Sequence, residues 1–458
     1  IAALSAKQVS GFSTTQIAAL SPAQVSVLLP QVVGALSGDQ LNALSTSQVD
    51  ALGDMQVKAL TRLQLGELSA SQFSNFAATQ VAALSLTQAA TLSPEQVGGM
   101  TATQIAGFTP TAIAGLEADD IAALSTTQVA GLTSSQVAGL TATQIPALSV
   151  TQLSGFSSTQ ASGITSTQVA ALSVDQLAGL KTTQVGVLST SAIAALSMTQ
   201  VAALSTTQIA GLTSTQFGAL SADQSSAFTG TQVSGFTAAQ LSKLTSTALA
   251  AFGSTVIGAF TTTQMKGLTA AQVSGLTLPE VLALSTTQFS SLSVGALSGL
   301  TATHVGALDI DRIAALTTTG LAALSTGGVS GLNIDQLGVL ETTQVSAFSA
   351  TQIGAISTSI LSAMSGDKLA ALTSTQASGL TASQVYALTS TDIAALTTTQ
   401  LRSLTSTAVA GMEGEDIAAL TTTKVQAMLT AQITALSATD LASRLTAAPQ
   451  AASSWRPT

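Results

Sequence analysis

A chain of 458 residues that is 46% hydrophobic but only 7% charged can build a core, yet it must draw its solubility from Ser, Thr and Gln. The formal net charge is −9 and the twelve Lys and Arg are scattered, so no basic patch offers itself to nucleic acid. Cys is absent, which removes disulfide and thiolate chemistry, and no apolar run approaches the roughly 18 residues of a membrane-spanning helix.

From Leu4 to Leu436 every eighth residue is Leu, Phe, Met or Ile, 55 positions with no insertion or deletion. Ser125-Thr126-Thr127-Gln128-Val129-Ala130-Gly131-Leu132 shows the unit cleanly. Such a period overrides the usual inference from length to domain number, because repeat arrays grow by stacking. A single continuous helix is excluded: at about 100° per residue, eight residues overshoot two turns by about 80°, and the apolar stripe would wander off any one face. If each unit breaks instead, Ser or Thr falls at the N-cap and Gln three residues on. Ser125 with Gln128, and Thr133 with Gln136, then form capping boxes. The preceding Leu124 and the fifth residue Val129 form the apolar staple that accompanies them. Pro22, Pro30, Pro94 and Pro110 fall at the first helical position and Pro279 at the second, where no intrahelical donor is lost. Pro146 falls deeper and opposes the scheme. The helix should stop near Gly131, Gly139 or Gly211, where glycine allows a left-handed turn and a close backbone approach.

The expected fold is all-α, a superhelical solenoid with one very short helix per repeat. Its core is Leu124, Val129, Leu132, Val137, Leu140 and their equivalents. Stacked helices should sit about 8–10 Å apart, and if successive units form two rows the array is on the order of 250 Å long. A β-solenoid is the alternative, since Thr, Val and Ile favour strands.

Along the chain, residues 1–68 are irregular: Leu29-Pro30-Gln31-Val32 lacks cap and Gln, and Gly53-Asp54-Met55 lacks the cap hydroxyl. The chain begins at Ile1 in mid-repeat without a visible secretion signal, and is read as a processed product or a segment of something longer. Residues 69–300 are the most regular. Phe228, Phe236, Phe252 and Phe260 there imply a locally wider core. From 301 to 440 the Gln position degrades to His304, Arg312, Gly320, Gly328, Ile360, Lys368, Asp392, Asp416 and Lys424. That drift suggests an exposed face tolerant of change. The array is read as 1–440, and 441–458, with Arg444 in the Leu position, as a non-repeat tail.

These residues carry two resemblances. Leu92-Ser93-Pro94-Glu95-Gln96-Val97 resembles the first helix of the transcription-activator-like effector repeat, but the base-reading loop is missing and the chain is acidic, so DNA binding is not carried over. The Ala/Leu/Ser/Thr/Gln/Val array as a whole is similar to low-complexity repeat regions of large secreted bacterial surface proteins of adhesin or filament type. That resemblance implies an extracellular or cell-surface setting.

Chemistry is sparse. His304 is the single histidine and replaces Gln at what reads as a surface cap; no partner completes a catalytic or zinc site. Glu117, Asp119 and Asp120, and in the same register Glu413, Glu415 and Asp416, are weak Ca²⁺ candidates. Acids complementing a helix N-terminus explain them more simply. No cofactor, catalytic group or metal site is expected, and no enzyme. The expected function is structural: a self-assembling surface filament, sheath or matrix fibre, whose partner is a further copy of itself. The alternatives are a monomeric adhesin stalk and a Thr-rich surface that binds ice or another ligand such as a surface glycan.

Overall fold

The computed structural model describes residues 1–436. Arg444 and the tail 441–458 lie outside the described residues. The chain divides into two compact units, Ile1–Phe236 and Thr237–Thr458, and the same local structure recurs within each. Between Ala6 and Ala427 the backbone forms fifty-one α-helices of four to six residues and two short 3-10 segments. No strand occurs among the described residues. The fold is all-α, a solenoid of very short helices, and the β-solenoid alternative is set aside.

The helix start follows the sequence closely. Ser125 is extended (φ −69°, ψ 159°) and precedes the helix Thr126–Ala130. Its Oγ accepts from the Gln128 amide at 3.3 Å, while the Ser125 amide donates to Gln128 Oε1 at 2.7 Å. Thr133 and Gln136 repeat the box at 3.2 and 2.8 Å. Pro22, Pro30, Pro94 and Pro110 each open a helix, and Pro279 is the second residue of Leu278–Ala283. Pro146 lies too deep for that role, and its unit replaces the α-turn by the 3-10 segment Ile145–Ala147. The irregular units also fold. Pro30–Val33 forms without a side-chain cap, and Gly53 keeps half a box by donating its amide to Gln56 Oε1 at 2.7 Å.

The helix end differs from expectation. Gly131 stays right-handed at φ −77°. Leu124 is extended (φ −61°, ψ 132°), and so is Ser125 after it. Two successive extended residues therefore turn the chain, while the Leu124 amide still bonds to Ile121 O. Among the described residues only Gly253 has positive φ, at 72°. Gly131, Gly139 and Gly211 are thus not left-handed stops; they supply space. A Cβ on Gly131 would lie 2.8 Å from Ala102 O, and one on Gly139 2.7 Å from Pro110 O.

That close approach reveals the coil. Gly131 and Ala102 are 29 residues apart, and Gln128 bonds to carbonyls 28, 30 and 31 residues back. One turn therefore takes three and a half to nearly four repeats (28/8 = 3.5; 31/8 ≈ 3.9). Two rows would bring every second helix together. Instead helices within each unit commonly pack on the third along: Ala78–Ala82 on Ala102–Gly107 in the first unit, Gly253–Gly258 on Leu278–Ala283 in the second.

Leu124, Val129, Leu132, Val137 and Leu140 are all buried. Burial of each such side chain stabilises by roughly 1.5–3 kcal/mol, which is what holds helices too short to survive alone. In the first unit Phe236 meets Phe217 and Phe228 edge-on with centroids 5.2 and 5.1 Å apart; in the second, Phe252 and Phe260 pair at 6.1 Å. All are buried, so they are core and not a binding platform. Among the described residues one breaks the apolar rule: Ser225 occupies a Val position, fully buried, and its hydroxyl finds no partner among them.

Candidate functional site

The position three residues after the cap joins one coil of the solenoid to the next. Read locally, its Gln closes a capping box at the surface. Yet Gln128 is 5% exposed and Gln136 1%, because the far end of each side chain points into the neighbouring coil. Gln128 Nε2 donates to Val97 O at 3.0 Å and Met100 O at 2.7 Å; Gln136 Nε2 donates to Ile105 O and Phe108 O, both at 2.8 Å. The same pattern holds in the second unit, where Gln384 Nε2 bonds to Ile353 O and Ile356 O at 2.8 and 2.7 Å. Val97, Ile105 and Ile353 also accept from the amide three residues on, whereas Met100, Phe108 and Ile356, just past the helix ends, receive no backbone donor among the described residues. One amide thus links the start of one helix to the end of another a coil away. Its Oε1 accepts, its Nε2 donates, and both ends are satisfied in a buried place where either would be costly if left alone.

The replacements confirm what the position requires. His304 is 5% exposed and not at a surface cap. Its Nδ1 lies 3.4 Å from the Thr301 amide and its Nε2 3.0 Å from Leu276 O, which assigns the Nε2–H tautomer and reproduces both functions of Gln. Arg312 reaches the equivalent carbonyls, with Nε 3.0 Å from Leu284 O and Nη2 3.0 Å from Leu282 O, and also pairs with Asp309. Lys368 Nζ donates to Leu337 O at 3.0 Å and to Gly338 O, and Lys424 Nζ donates to Ala394 O. The drift at this position is therefore not that of an exposed, tolerant face; the cations keep the donor. Where the residue is Ala112, Gly320 or Ile360, the cap hydroxyl still bonds to the helix amide, while the side-chain bonds to the cap amide and to the neighbouring coil are both lost.

Acids invert the chemistry. Asp120 is buried and accepts from the Glu117 amide at 2.8 Å; Asp416 is buried and accepts from the Glu413 amide at 2.9 Å. Burial pushes the Asp120 carboxyl up to about 6; the bond from Glu117 opposes the rise, and the charges of Glu117, Asp119 and Glu95 add to it. Asp416 is raised by burial too, with Glu413 and Glu415 adding to the effect. Glu117, Asp119, Glu413 and Glu415 point to solvent. Among the described residues, no three or more His, Cys, Asp or Glu are grouped to hold a metal ion, and no helix is long and apolar enough to cross a membrane.

A donor role for Gln was missed by reading the box alone, although a signal existed. Of the 54 such positions from 8 to 432, 36 are Gln and one is Glu. A capping box accepts Glu as readily as Gln, and a helix N-terminus favours the acid. So strong a bias to the amide means that the side chain must also donate.

Comparison with known proteins supports the repeat character. The ALTTAQ repeat family model matches residues 33–62, 113–150, 174–206 and 385–422, so these four stretches are similar to that repeat. No characterised protein matches the chain.

Proposed function

We propose that this is a structural protein of the extracellular space or cell surface, which assembles with further copies of itself into a filament, sheath or matrix fibre. One observation carries the reading. Coils are joined by rows of buried donors set on carbonyls 28 to 31 residues back, a pattern that recurs in both units. A coil face left uncovered at either end of such an array presents to another copy what it presents to its own neighbour. Contacts of that head-to-tail kind generate open filaments. The outer surface adds Ser and Thr at the first helical positions, exposed at Thr126 and Thr127, which suit lateral polar contacts. The extracellular setting rests on the Cys-free, Ser/Thr-rich composition.

The test is direct. Light scattering and negative-stain electron microscopy of the purified chain over a wide concentration range should give particles whose length and mass grow with concentration. A monomer that persists at the highest concentration overturns assembly and leaves the stalk reading in its place. Detection of the chain only in the cytosolic fraction of its source cells overturns the extracellular setting.

A further inference from the structure

At residues 360 and 368 two successive slots between coils hold Ile and Lys in place of Gln. Ile360 offers no donor to the carbonyls of Val329 and Leu332, which a Gln there would engage. At the next slot Lys368 bonds to Leu337 O and Gly338 O and not to Leu340 O, the residue 28 back. The result is a partly enclosed cavity of about 200 Å³. Its walls are the apolar side chains of Ile334, Leu337, Ile360 and Met364, with Ser365 and Lys368 as its polar groups.

Three features make this more than a packing gap. Lys368 forms no ion pair among the described residues, and two backbone carbonyls take two of its three N–H groups without neutralising its charge. Ser365 is an N-cap whose hydroxyl makes no cap bond, unlike Ser357 one repeat earlier, whose Oγ accepts from the Ile360 amide at 3.3 Å. Gly338 leaves open space beside the cavity, with nothing within 4 Å of where its Cβ would lie. One unneutralised cation and one hydroxyl without a cap bond thus line a partly apolar cavity. The volume lies below the roughly 300 Å³ at which sites for drug-sized ligands begin, but above the roughly 150 Å³ that holds a benzene ring.

We infer that this cavity is a binding site for a small monocarboxylate with an apolar tail of about five carbons, its carboxylate on Lys368 and Ser365 and its tail against Ile334, Leu337, Ile360 and Met364. The carboxylate completes the donors left open, and the tail removes apolar surface from water. Asp335 and Asp367 stand on the flanking helices Ile334–Val339 and Gly366–Ala370, so a ligand with a second negative charge is disfavoured. The site is independent of the proposed assembly.

Calorimetric titration of the full chain with hexanoate, 1-hexanol and hexylammonium tests it. Hexanoate should saturate one site and bind at least about tenfold tighter than hexanol, the worth of one charge-assisted hydrogen bond. Lys368→Met should bring hexanoate down to the level of hexanol. Ile360→Gln, which restores the commonest residue of the slot and so preserves folding, should abolish binding of both. The inference is overturned by any of three results: no saturable hexanoate binding up to about 10 mM, hexylammonium binding as tightly as hexanoate, or unchanged hexanoate affinity in Lys368→Met.

Discussion

The two units of the chain share one helix start and differ in how one coil is tied to the next. In Ile1–Phe236 the third position after the cap is Gln in 25 of 29 repeats; in the second unit, from 240 to 432, it is Gln in 11 of 25. Helices form equally well in both. Thr317 and Ser325 still cap their helices by bonding to the amides of Gly320 and Gly328 at 3.1 and 2.9 Å, although glycine brings no side chain to the box. Gln is therefore dispensable for starting a helix. What it governs is attachment between coils, and the second unit meets that need by other means. Arg312, His304, Lys368 and Lys424 substitute other donors, and at Gly328 the backbones close in until a Cβ would lie 2.8 Å from Leu300 O.

The contrast between the units can be broken most severely where Gln is densest. Replacing Gln128, Gln136 and Gln144 together by Leu leaves the three buried carbonyls of Met100, Phe108 and Leu116 without a donor, while those of Val97, Ile105 and Ile113 keep the amide three residues on. At roughly 1–3 kcal/mol per unsatisfied site, the triple variant should lose on the order of 5 kcal/mol. Hydrogen exchange should report local opening around residues 97–144, with helical circular dichroism elsewhere retained. Full protection there would show that the bonds between coils contribute little. Exchange is the appropriate measure, since long repeat arrays depart from two-state unfolding.

A second break uses backbone proximity. Gly331→Ala would place a Cβ 2.2 Å from Ala302 O, whereas a Cβ at Gly366 meets nothing within 4 Å. The first substitution should lower the thermal midpoint and cost about 2 kcal/mol. The second should be neutral or slightly stabilising through helix propensity. Equal effects would contradict the coil spacing.

The third sharpens the role of the donor through pH. The folded-state pKa of Asp120 is about 6 against an ordinary value of 3.8. Between these values the folded chain holds more protons than the unfolded one, so stability falls as pH rises through the window. The penalty is fully developed above pH 6 and absent below 3.8. Asp416 acts in the same direction. Unfolding free energies from urea titrations at pH 4 to 7 should therefore decline, by roughly 1–2 kcal/mol from Asp120 once the full shift, worth about 3 kcal/mol, is reduced for solvent screening. Asp120→Gln should flatten its share of the slope and raise stability at pH 7. A slope unchanged by that substitution would remove Asp120 as its source.

The candidate site was half legible. Ser125 and Gln128 announced their mutual bonds because both partners lie within three residues. The partners of Gln128 Nε2, Val97 and Met100, lie about 30 residues away, and nothing local points to them. The acidic triplet read as a surface feature at a helix start; only packing separates Asp120, turned inward, from Glu117 and Asp119. His304 read as a chance substitution because its ring was compared with a cap and not with a donor.

By itself the sequence determined everything that one repeat and its neighbour's Leu can satisfy: the eight-residue period, the helix start, the positions open to proline, and the burial of Leu124 and Val129. These are short-range matters of dihedral preference, hydrogen-bond partners within reach, and apolar spacing. The tertiary structure decided how many repeats close a turn, and with it which carbonyls each Gln meets. That number is the sum of small bends at extended pairs such as Leu124 and Ser125 over three to four units. A few degrees in each pair would carry the donor to a different coil position. Such an angle is settled by how closely Gly131 lets its coil approach Ala102, a contact between residues that share no local pattern.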